Sequence, residues 1–280
     1  MKLLAVDLDG TLLDTKGEPH AHDVAAMRAA MAAGVRVTIV TGRLYSGARS
    51  CAQQLGLSGA IGCADGSHVV RGKDDVTLVH NAVRGAKAGA LRDAFARHRA
   101  ATFVFARDAI GHDAHGAPYV DYVATWSRDI RAAHDVFSHA LWSLDEGVTA
   151  VVGVGEREQI EGIAADLGRD LPGQLMVAAF PMRRGLHAGS WAMIVRASGA
   201  TKGTAIQWIA RHEGVALADT VCVGDWINDI PMFEVAGRSF AMGQAPGEVK
   251  DKASDVLEQT SEQGGGVAAA IERAFGLRSS

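Results

Sequence analysis

The sequence has few cysteines, no long apolar run and no excess of basic residues, and each of these absences excludes a class of protein. The cysteines, Cys51, Cys63 and Cys222, are odd in number and lack the spacing of a metal site, which favours a reducing compartment. No stretch reaches the ~20 apolar residues of a membrane span. The apolar run after Lys2 ends at Asp7, well short of a signal peptide. We therefore expect a cytoplasmic protein with no membrane partner.

The charge and the length of the chain set further limits. The formal net charge is −4 and the sequence contains no Lys/Arg block, so we expect no nucleic-acid partner. With 280 residues, of which 48% are hydrophobic, the chain can bury a large core and form two domains. The oligomeric state stays open between a monomer and a homodimer.

The first strand organises the rest of the chain. Four apolar residues at 3–6 predict a short strand that is buried on both faces. Asp7 and Asp9 follow it, and because side chains alternate along a strand, the two carboxylates start on the same side. Buried carboxylates without a counter-charge are costly, so this pattern indicates a bound cation. The alternative is an exposed, aspartate-rich loop after the strand.

Both ends of the chain show the alternation of strands and helices that is typical of a parallel sheet. A helix at 23–33 and a strand at 35–40 follow the first strand with short connections, which indicates a βαβ unit. A helix at 46–55 and a strand at 60–63 come next. Near the other end the pattern predicts strands at 191–195, 220–223 and 239–242 and helices at 204–213, 231–235 and 267–275.

The middle of the chain has longer irregular connections, which are typical of an α+β insertion with an antiparallel sheet. We therefore predict an α/β protein in which a Rossmann-like, parallel-sheet core, residues 1–82 and 188–280, carries an inserted α+β cap, residues 83–187. Within the insertion the pattern predicts strands at 102–106, 119–124, 149–154 and 174–180, helices at 87–97 and 156–167, a polar loop at 107–116 and a hinge at 181–190.

Polar clusters follow the buried strands of the predicted core. Ligands of an open parallel sheet bind beyond the carboxyl ends of its strands, so clusters far apart in sequence converge there. Like charges about 4 Å apart repel by roughly 4 kcal/mol per pair at an effective dielectric of about 20, and one lysine does not offset several carboxylates. A divalent cation is needed, and an all-oxygen ligand set suits Mg²⁺. The clusters are Asp7 with Asp9 and Thr11, Thr41 with Gly42 and Arg43, Lys202, and Asp225 with Asn228 and Asp229.

A site that combines a divalent cation, a lysine, a hydroxyl group and glycine amides binds anions. Phosphoryl transfer fits such a site, because the equatorial oxygens of the transferred group need positive charge and hydrogen-bond donors. One carboxylate can attack phosphorus and form an aspartyl phosphate. The other can protonate the leaving oxygen and later deprotonate water.

Four segments of the sequence resemble the motifs of the haloacid dehalogenase superfamily. Their order and spacing are similar to those of its Cof-like phosphatase branch, whose type-2 cap is inserted between the second and third motifs. The resemblance covers both core segments, whereas the cap matches only in placement and size. The segments are Asp7-Leu8-Asp9-Gly10-Thr11-Leu12, Thr41-Gly42-Arg43, Lys202-Gly203 and Gly224-Asp225-Trp226-Ile227-Asn228-Asp229.

The resemblance implies roles for the carboxylates. Asp7 would be the nucleophile, and Asp9 would be the general acid and base. Mg²⁺ would be held by Asp7, by the backbone carbonyl of Asp9 and by Asp225. Asp229 would be a carboxylate on the metal side that also orients Lys202.

The resemblance also implies a phosphate site. Thr41, Gly42 and Lys202 would bind the phosphoryl oxygens, and Asn228 would be a further donor. The ligand would be a small phosphorylated metabolite. Arg43 is a candidate for substrate contact, although it fits an ion pair with a core acid equally well.

Two departures from the branch concern the substrate. The branch often has Asn-Gly-Ala where this chain has Asp65-Gly66-Ser67, and it often has Gly-Asn-Ala where this chain has Gly243-Gln244-Ala245. Both positions are expected on the substrate side. Asp65 is therefore a candidate for substrate contact, although an ordinary Asp-Gly turn is the alternative.

Other polar residues of the predicted cap admit two interpretations. The cluster of His112, Asp113 and His115 could bind a metal, but its spacing is not a standard ligand set and a cap loop is the simpler interpretation. Arg183 and Arg184 lie near the predicted hinge and could touch a substrate.

The predicted function is Mg²⁺-dependent hydrolysis of a small phosphomonoester, such as a sugar phosphate or a related metabolite, through an aspartyl-phosphate intermediate. The cap would close over the substrate and select the leaving group. A phosphosugar mutase or other phosphotransferase is one alternative, and a non-catalytic sensor of phosphorylated metabolites is another. A glycosyltransferase could also use an Asp-x-Asp pair, but these motifs give no reason for a nucleotide-sugar site.

Overall fold

The computed structural model describes residues 1–182 and 186–277, and it divides into two compact units. The first unit is formed by Met1–Gly42, Ala48–Val79 and the chain from Thr201 onward, and the second by Arg43–Gly47 and His80–Ala200. Arg183 and Arg184 lie outside the described residues. Among the helices of the described part of the chain, none is long and apolar enough to span a bilayer.

Strands and helices alternate through much of the chain. The strands are β1 (Leu3–Val6), β2 (Arg36–Ile39), β3 (Ala60–Cys63), β4 (His68–Arg71), β5 (Val76–His80), β6 (Ala101–Ala106), β7 (Ala109–His112), β8 (Asp129–Ala132), β9 (Ala150–Gly155), β10 (Leu175–Pro181), β11 (Trp191–Ala197), β12 (Thr220–Gly224), β13 (Arg238–Ala241) and β14 (Asp255–Val256). The helices are α1 (Ala21–Ala32), α2 (Tyr45–Leu55), α3 (Ala86–His98), α4 (Val120–Val123), α5 (Arg157–Asp170), α6 (Lys202–His212), α7 (Ile230–Val235), α8 (Gly247–Lys250) and α9 (Gly266–Phe275).

The first unit is built on a five-stranded parallel sheet. Its strand order is β14-β13-β12-β1-β2, so β1 lies inside the sheet with β12 on one side and β2 on the other. Leu3 is paired in register with Thr220 and with Arg36. All four residues of β1 are buried, because an apolar strand in the middle of a parallel sheet is covered on both faces. This sheet confirms the predicted α/β fold with a parallel-sheet core.

A second, three-stranded sheet in the first unit has the order β3-β4-β5, and β3 and β4 are antiparallel. A parallel bridge between Val40 and Gly62 places β3 beside the end of β2. The chain that follows β2 and the chain that follows β3 therefore emerge next to each other.

The second unit contains a six-stranded sheet in the order β10-β11-β9-β6-β7-β8, in which only β7 and β8 are parallel. Helices α3 and α5 supply Phe95 and Ile160 to its core, where the sheet supplies Val104, Val151 and Val195. A mostly antiparallel sheet with helices packed against it is the feature of an α+β arrangement.

The strand predicted at 191–195 is present, but it belongs to the second sheet and not to the parallel core. As β11 it is antiparallel to both β9 and β10, and the second unit ends at Ala200. The buried run of β11 fits either sheet, because an apolar strand looks alike wherever both of its faces are covered.

Two local predictions within the second unit are wrong. The strand predicted at 119–124 is helical, with a 3₁₀ turn at Ala117–Tyr119 that leads into α4. Its β-branched and aromatic residues favour a strand, but Pro118 begins the turn and Tyr122 packs its ring on Trp126. The polar loop predicted at 107–116 contains the buried strand β7.

Candidate active site

Strand β1 delivers Asp7 to the carboxyl edge of the parallel sheet. The backbone N–H of Asp7 donates to the carbonyl of Val223 at 3.0 Å, so the ladder to β12 extends as far as this residue. The Asp7 side chain is buried beside the end of β12, because the preceding apolar residues fix the strand within the sheet.

The turn after β1 is shaped by Gly10. Its φ of +79° lies in the left-handed region, and a Cβ at this position would overlap the carboxylate of Asp225. A glycine thus allows the turn to pass close to the residue that follows β12. Thr11, at the end of the same turn, donates from Oγ1 to Asp225 Oδ1 at 3.3 Å.

Lys202, the first residue of α6, forms the electrostatic centre of the site. Its Nζ lies 2.6 Å from Asp7 Oδ1 and 2.6 Å from Asp229 Oδ1. The residue is only 1% exposed. Thr201 begins the helix by accepting from the backbone N–H of Thr204, which fixes the direction in which Lys202 enters the site.

Asp229 has a second contact that shapes the loop after β12. Its Oδ2 accepts from the backbone N–H groups of Asp225 at 2.8 Å and Trp226 at 2.9 Å. A Cβ at Gly224 would lie 2.5 Å from the carboxyl carbon of Asp229, so a glycine is needed where the loop leaves the strand. Asp229 therefore orients both Lys202 and the backbone that carries Asp225.

The clustered charges shift the pKa values of the site. Burial raises the pKa of Asp7 well above its usual range, and the carboxylates of Asp229 and Asp225 raise it further against the opposing effect of Lys202. Burial, together with Asp229, raises the pKa of Asp225 to about 6. Burial alone would lower the pKa of Lys202, but Asp229 and Asp7 outweigh it and hold that pKa above its usual value.

The carboxylates form a cluster that fits a divalent cation. Asp7, Asp225 and Asp229 each offer an oxygen, these oxygens lie within 4.8 Å of one another, and all three residues are buried. Lys202 contacts two of the three. An additional positive charge would relieve the remaining repulsion, and a donor set made of oxygen alone is the kind that Mg²⁺ prefers.

A second group of predicted residues gathers beside the ends of β2 and β3. The backbone N–H of Asp65 donates to the carbonyl of Thr41 at 2.9 Å, and Asn228 Nδ2 donates to Asp65 Oδ1 at 2.8 Å. A Cβ at Gly42 would lie 3.4 Å from the same Oδ1. The structure thus joins Thr41, Gly42, Asp65 and Asn228, and Asp65 also acts electrostatically on Lys202.

Two other predicted residues are placed differently. Asp9 is exposed, which leaves its carboxylate accessible to solvent, and it forms a bridge with Leu13 inside the turn after β1. Arg43 belongs to the second unit, where it donates from Nη1 to the carbonyl of Gly47 at 3.2 Å.

The histidine-rich cluster of the second unit has a structural role in the hydrogen bonds that are described. Asp113 Oδ1 accepts from the backbone N–H of His115 at 2.9 Å, and its Oδ2 accepts from that of Val136 at 3.2 Å. Nδ1 of His112 meets the Asp113 carbonyl at 2.9 Å. Because Asp113 links the turn after β7 to the segment that begins at Val136, these contacts favour a structural role over a metal site.

One residue of the site has a position that the motifs do not predict. Gln244, expected on the substrate side, donates from Nε2 to the carbonyl of Gly10 and to Asp225 Oδ2, the latter at 3.4 Å. The available signal was its place shortly after a core strand, β13, that neighbours β12. This position predicts that Gln244 lies near the carboxylates, but it does not predict that the side chain contacts Asp225.

Comparisons with known proteins agree with this geometry. A family model described as haloacid dehalogenase-like hydrolase matches residues 4–271. Phosphatase YwpJ of Bacillus subtilis is 26% identical over 282 residues, covering 94% of this chain and 97% of the relative. Pyridoxal phosphate phosphatase YbhA of Escherichia coli is 26% identical over 262 residues, covering 91% of this chain and 93% of the relative.

A solved structure shows the same fold. A haloacid dehalogenase-like hydrolase from Bacteroides thetaiotaomicron superposes with a TM-score of 0.83 at 23% identity, covering 98% of this chain and 99% of that chain. The fold, the carboxylate cluster and the curated relatives define an enzyme of the phosphoric monoester hydrolase class. The chain belongs to the haloacid dehalogenase-like hydrolases, which confirms the resemblance stated from the four motifs.

Proposed function

We propose that this enzyme is a Mg²⁺-dependent phosphatase that hydrolyses a small phosphomonoester through an aspartyl-phosphate intermediate. The observation that carries the proposal is the buried cluster of Asp7, Asp225 and Asp229 with Lys202 as its contacting cation. If the cluster were purely structural, part of its negative charge would stay buried without a counter-charge, which would destabilise the folded protein.

Asp7 and Asp225, with the backbone carbonyl of Asp9, are the groups that would hold Mg²⁺. When bound, the ion supplies positive charge that allows an anionic phosphate to approach an anionic nucleophile. Asp229 supports this arrangement through its contacts with Lys202 and with the backbone of Asp225.

The reaction needs two carboxylates with different surroundings. Asp7 attacks phosphorus, the ester bond breaks, and Asp9 donates its proton to the leaving alcohol oxygen. Asp9 then removes a proton from water as the water oxygen attacks phosphorus, and the bond between phosphorus and Asp7 breaks to release phosphate. The exposed position of Asp9 supports its role, because its carboxyl group must be accessible first to the leaving oxygen and then to the attacking water.

The phosphoryl oxygens would be bound by donors that surround the nucleophile. Lys202 already touches Asp7, so a group bound to Asp7 lies within reach of its ammonium. We assign the amide of Asn228, the hydroxyl of Thr41 and the backbone of Gly42 to the remaining oxygens. Charge on these oxygens grows as the ester bond breaks, so donors fixed in advance stabilise the transition state.

The substrate class is a small phosphorylated metabolite such as a sugar phosphate. The curated relatives support this class, since one of them is named for pyridoxal phosphate and the other is named a phosphatase. A phosphosugar mutase would return the phosphoryl group to a sugar and would release little inorganic phosphate. Product analysis therefore separates the two reactions.

The test is phosphate release from a panel of phosphorylated sugars, polyols and cofactors, with Mg²⁺ or with a chelator. We expect Mg²⁺-dependent release from a few related compounds, and we expect Asp7→Asn to lower kcat by at least ~10³-fold because the nucleophile is lost. The matched control is Asp251→Asn, the same change at an exposed position of the first unit. Normal activity of Asp7→Asn would contradict the covalent mechanism.

A further inference from the structure

Gln244 occupies a turn that is fastened from several sides. Lys250 Nζ donates to the carbonyl of Gly243 at 2.6 Å, and the backbone N–H of Gly243 donates to the carbonyl of Gln259 at 2.8 Å. The N–H of Ala245 closes the turn onto Met242 at 3.0 Å. The backbone of Gln244 is therefore held at one place, although its side chain is exposed.

The Gln244 side chain joins three separate segments of the first unit. Its Nε2 donates to the carbonyl of Gly10 and, at 3.4 Å, to Asp225 Oδ2. Its Oε1 accepts from the backbone N–H of Ser261 at 3.3 Å. A primary amide carries two N–H groups, so one side chain can serve both acceptors.

The two oxygens of Asp225 receive different donors. Thr11 Oγ1 approaches Oδ1 at 3.3 Å, and Gln244 Nε2 approaches Oδ2 at 3.4 Å. Thr11 belongs to the turn that contains Gly10 and follows Asp9. Gln244 contacts the same turn through the carbonyl of Gly10. The orientation of Asp225 is therefore coupled to the position of the turn after β1.

We propose that Gln244 is a positioning residue for the metal site, which fixes the rotamer of Asp225 and its distance from the turn that contains Asp9. The inference rests on the proposed function, in which Asp225 and the Asp9 carbonyl share one Mg²⁺. Partners of metal ligands set ligand orientation, and removing such a partner weakens metal binding by about 10–100-fold. Because Gln244 is exposed and its bond to Asp225 is long, the lower end of this range applies.

The length of the side chain matters for this role. The Cof-like branch often has asparagine here, which is shorter by one carbon–carbon bond, ~1.5 Å. From the same turn, the amide of an asparagine would end about 1.5 Å short of the position from which Gln244 contacts Ser261, Gly10 and Asp225. Glutamine therefore gives this chain a link that the shorter residue lacks.

The experiment measures Mg²⁺ binding directly, by calorimetric titration of the metal-free full-length protein. Gln244→Met keeps the length of the side chain and removes both donors, and Gln244→Ala removes the side chain. We expect each variant to raise the Kd for Mg²⁺ about tenfold. The matched control is Gln207→Met on the exposed face of α6, which should bind Mg²⁺ like the unmodified protein.

Three readouts separate the possible outcomes. If Gln244 had only a structural role, its variants would lower the melting temperature of the metal-free protein. If it is a positioning residue, the melting temperature stays within ~2 °C of the unmodified protein, and saturating Mg²⁺ restores kcat. Unchanged Mg²⁺ affinity in Gln244→Met would overturn the inference while leaving the phosphatase intact. An unmodified protein that binds Mg²⁺ no better than Asp225→Asn would instead contradict the metal site of the proposed function.

Discussion

Lys202 shows how much a single side chain contributes to this protein. It is almost fully buried, and its ammonium contacts two carboxylates that come from β1 and from the loop after β12. A buried cation with two partners holds those segments together and keeps one oxygen of Asp7 beside a positive charge. Structure and chemistry therefore depend on the same contacts.

We predict that Lys202→Met lowers the free energy of unfolding by about 3–5 kcal/mol, because it leaves Asp7 and Asp229 buried without their counter-charge. Methionine fills similar space, so the loss reports charge and not volume. Urea denaturation measures it. Lys252→Met, at a side chain that is 56% exposed and 3.8 Å from Glu234, should change stability by less than ~0.5 kcal/mol. Equal losses in the two variants would contradict this account.

The ordered motifs predicted that Asp7, Lys202 and Asp225 lie close together, because the carboxyl ends of parallel strands share one edge. They did not predict the bond from Asn228 to Asp65. That bond depends on left-handed backbone at Ala64 and Asp65, with φ of 47° and 48°. The Asp65-Gly66 pair is typical of a turn, but alanine rarely adopts such angles, so the pattern does not predict this backbone geometry.

Helix α9 illustrates stabilisation at the scale of an element. It begins after glycines and has no side-chain cap from its own N-cap residue. Asp23, on α1 and 1% exposed, supplies the acceptors instead, with 2.8 Å bonds from the backbone N–H groups of Gly265 and Ala268. A carboxylate near helix N-terminal amides also interacts favourably with the helix dipole.

We predict that Asp23→Ala lowers the free energy of unfolding by about 2 kcal/mol, because two amides at the start of α9 lose their partner. Asp23→Asn retains one acceptor oxygen and should lose about half as much. Urea denaturation gives the totals, and amide hydrogen exchange should show the largest loss of protection within Gly266–Phe275. Protection that falls evenly across the first unit would argue against a capping role.

At the same scale, the hairpin of β6 and β7 shows where prediction from the sequence fails. Ala106 pairs with Ala109, so Arg107 and Asp108 form a two-residue turn, and both have positive φ, 46° and 62°. Such turns usually carry Asn-Gly or a related pair with glycine. An Arg-Asp turn offers no such signal, so the sequence predicts a loop where the structure has β7.

For the molecule as a whole, the carboxylate cluster makes stability depend on pH, and the proposed Mg²⁺ site would make it depend on that ion as well. The pKa of Asp225 rises from 3.8 to about 6 on folding, so between these values the folded state binds more protons than the unfolded state. The metal-free protein should therefore lose stability as pH rises from about 4 to about 6. Asp7, whose pKa is also raised, acts in the same direction.

We predict that Mg²⁺ reverses this loss, so the rise in melting temperature caused by Mg²⁺ grows between pH 5 and pH 7. Below a pH of about 6 protons compete with the ion, and each displaced proton weakens binding by up to about tenfold per pH unit. Thermal denaturation with and without Mg²⁺ across this range measures the effect. Asp225→Asn should abolish it, and a pH-independent Mg²⁺ effect would be incompatible with binding at this cluster.

The central place of β1 has a consequence during synthesis on the ribosome. The first strand to be translated can pair with β2 once that strand has emerged, but its other edge stays unpaired until β12, which begins at Thr220, has been synthesised. At about 5–20 residues per second that wait lasts on the order of 10–40 s. His80–Ala200, most of the second unit, leaves the ribosome in between. The nascent chain therefore carries an open, apolar strand edge until the residues that complete the carboxylate cluster emerge.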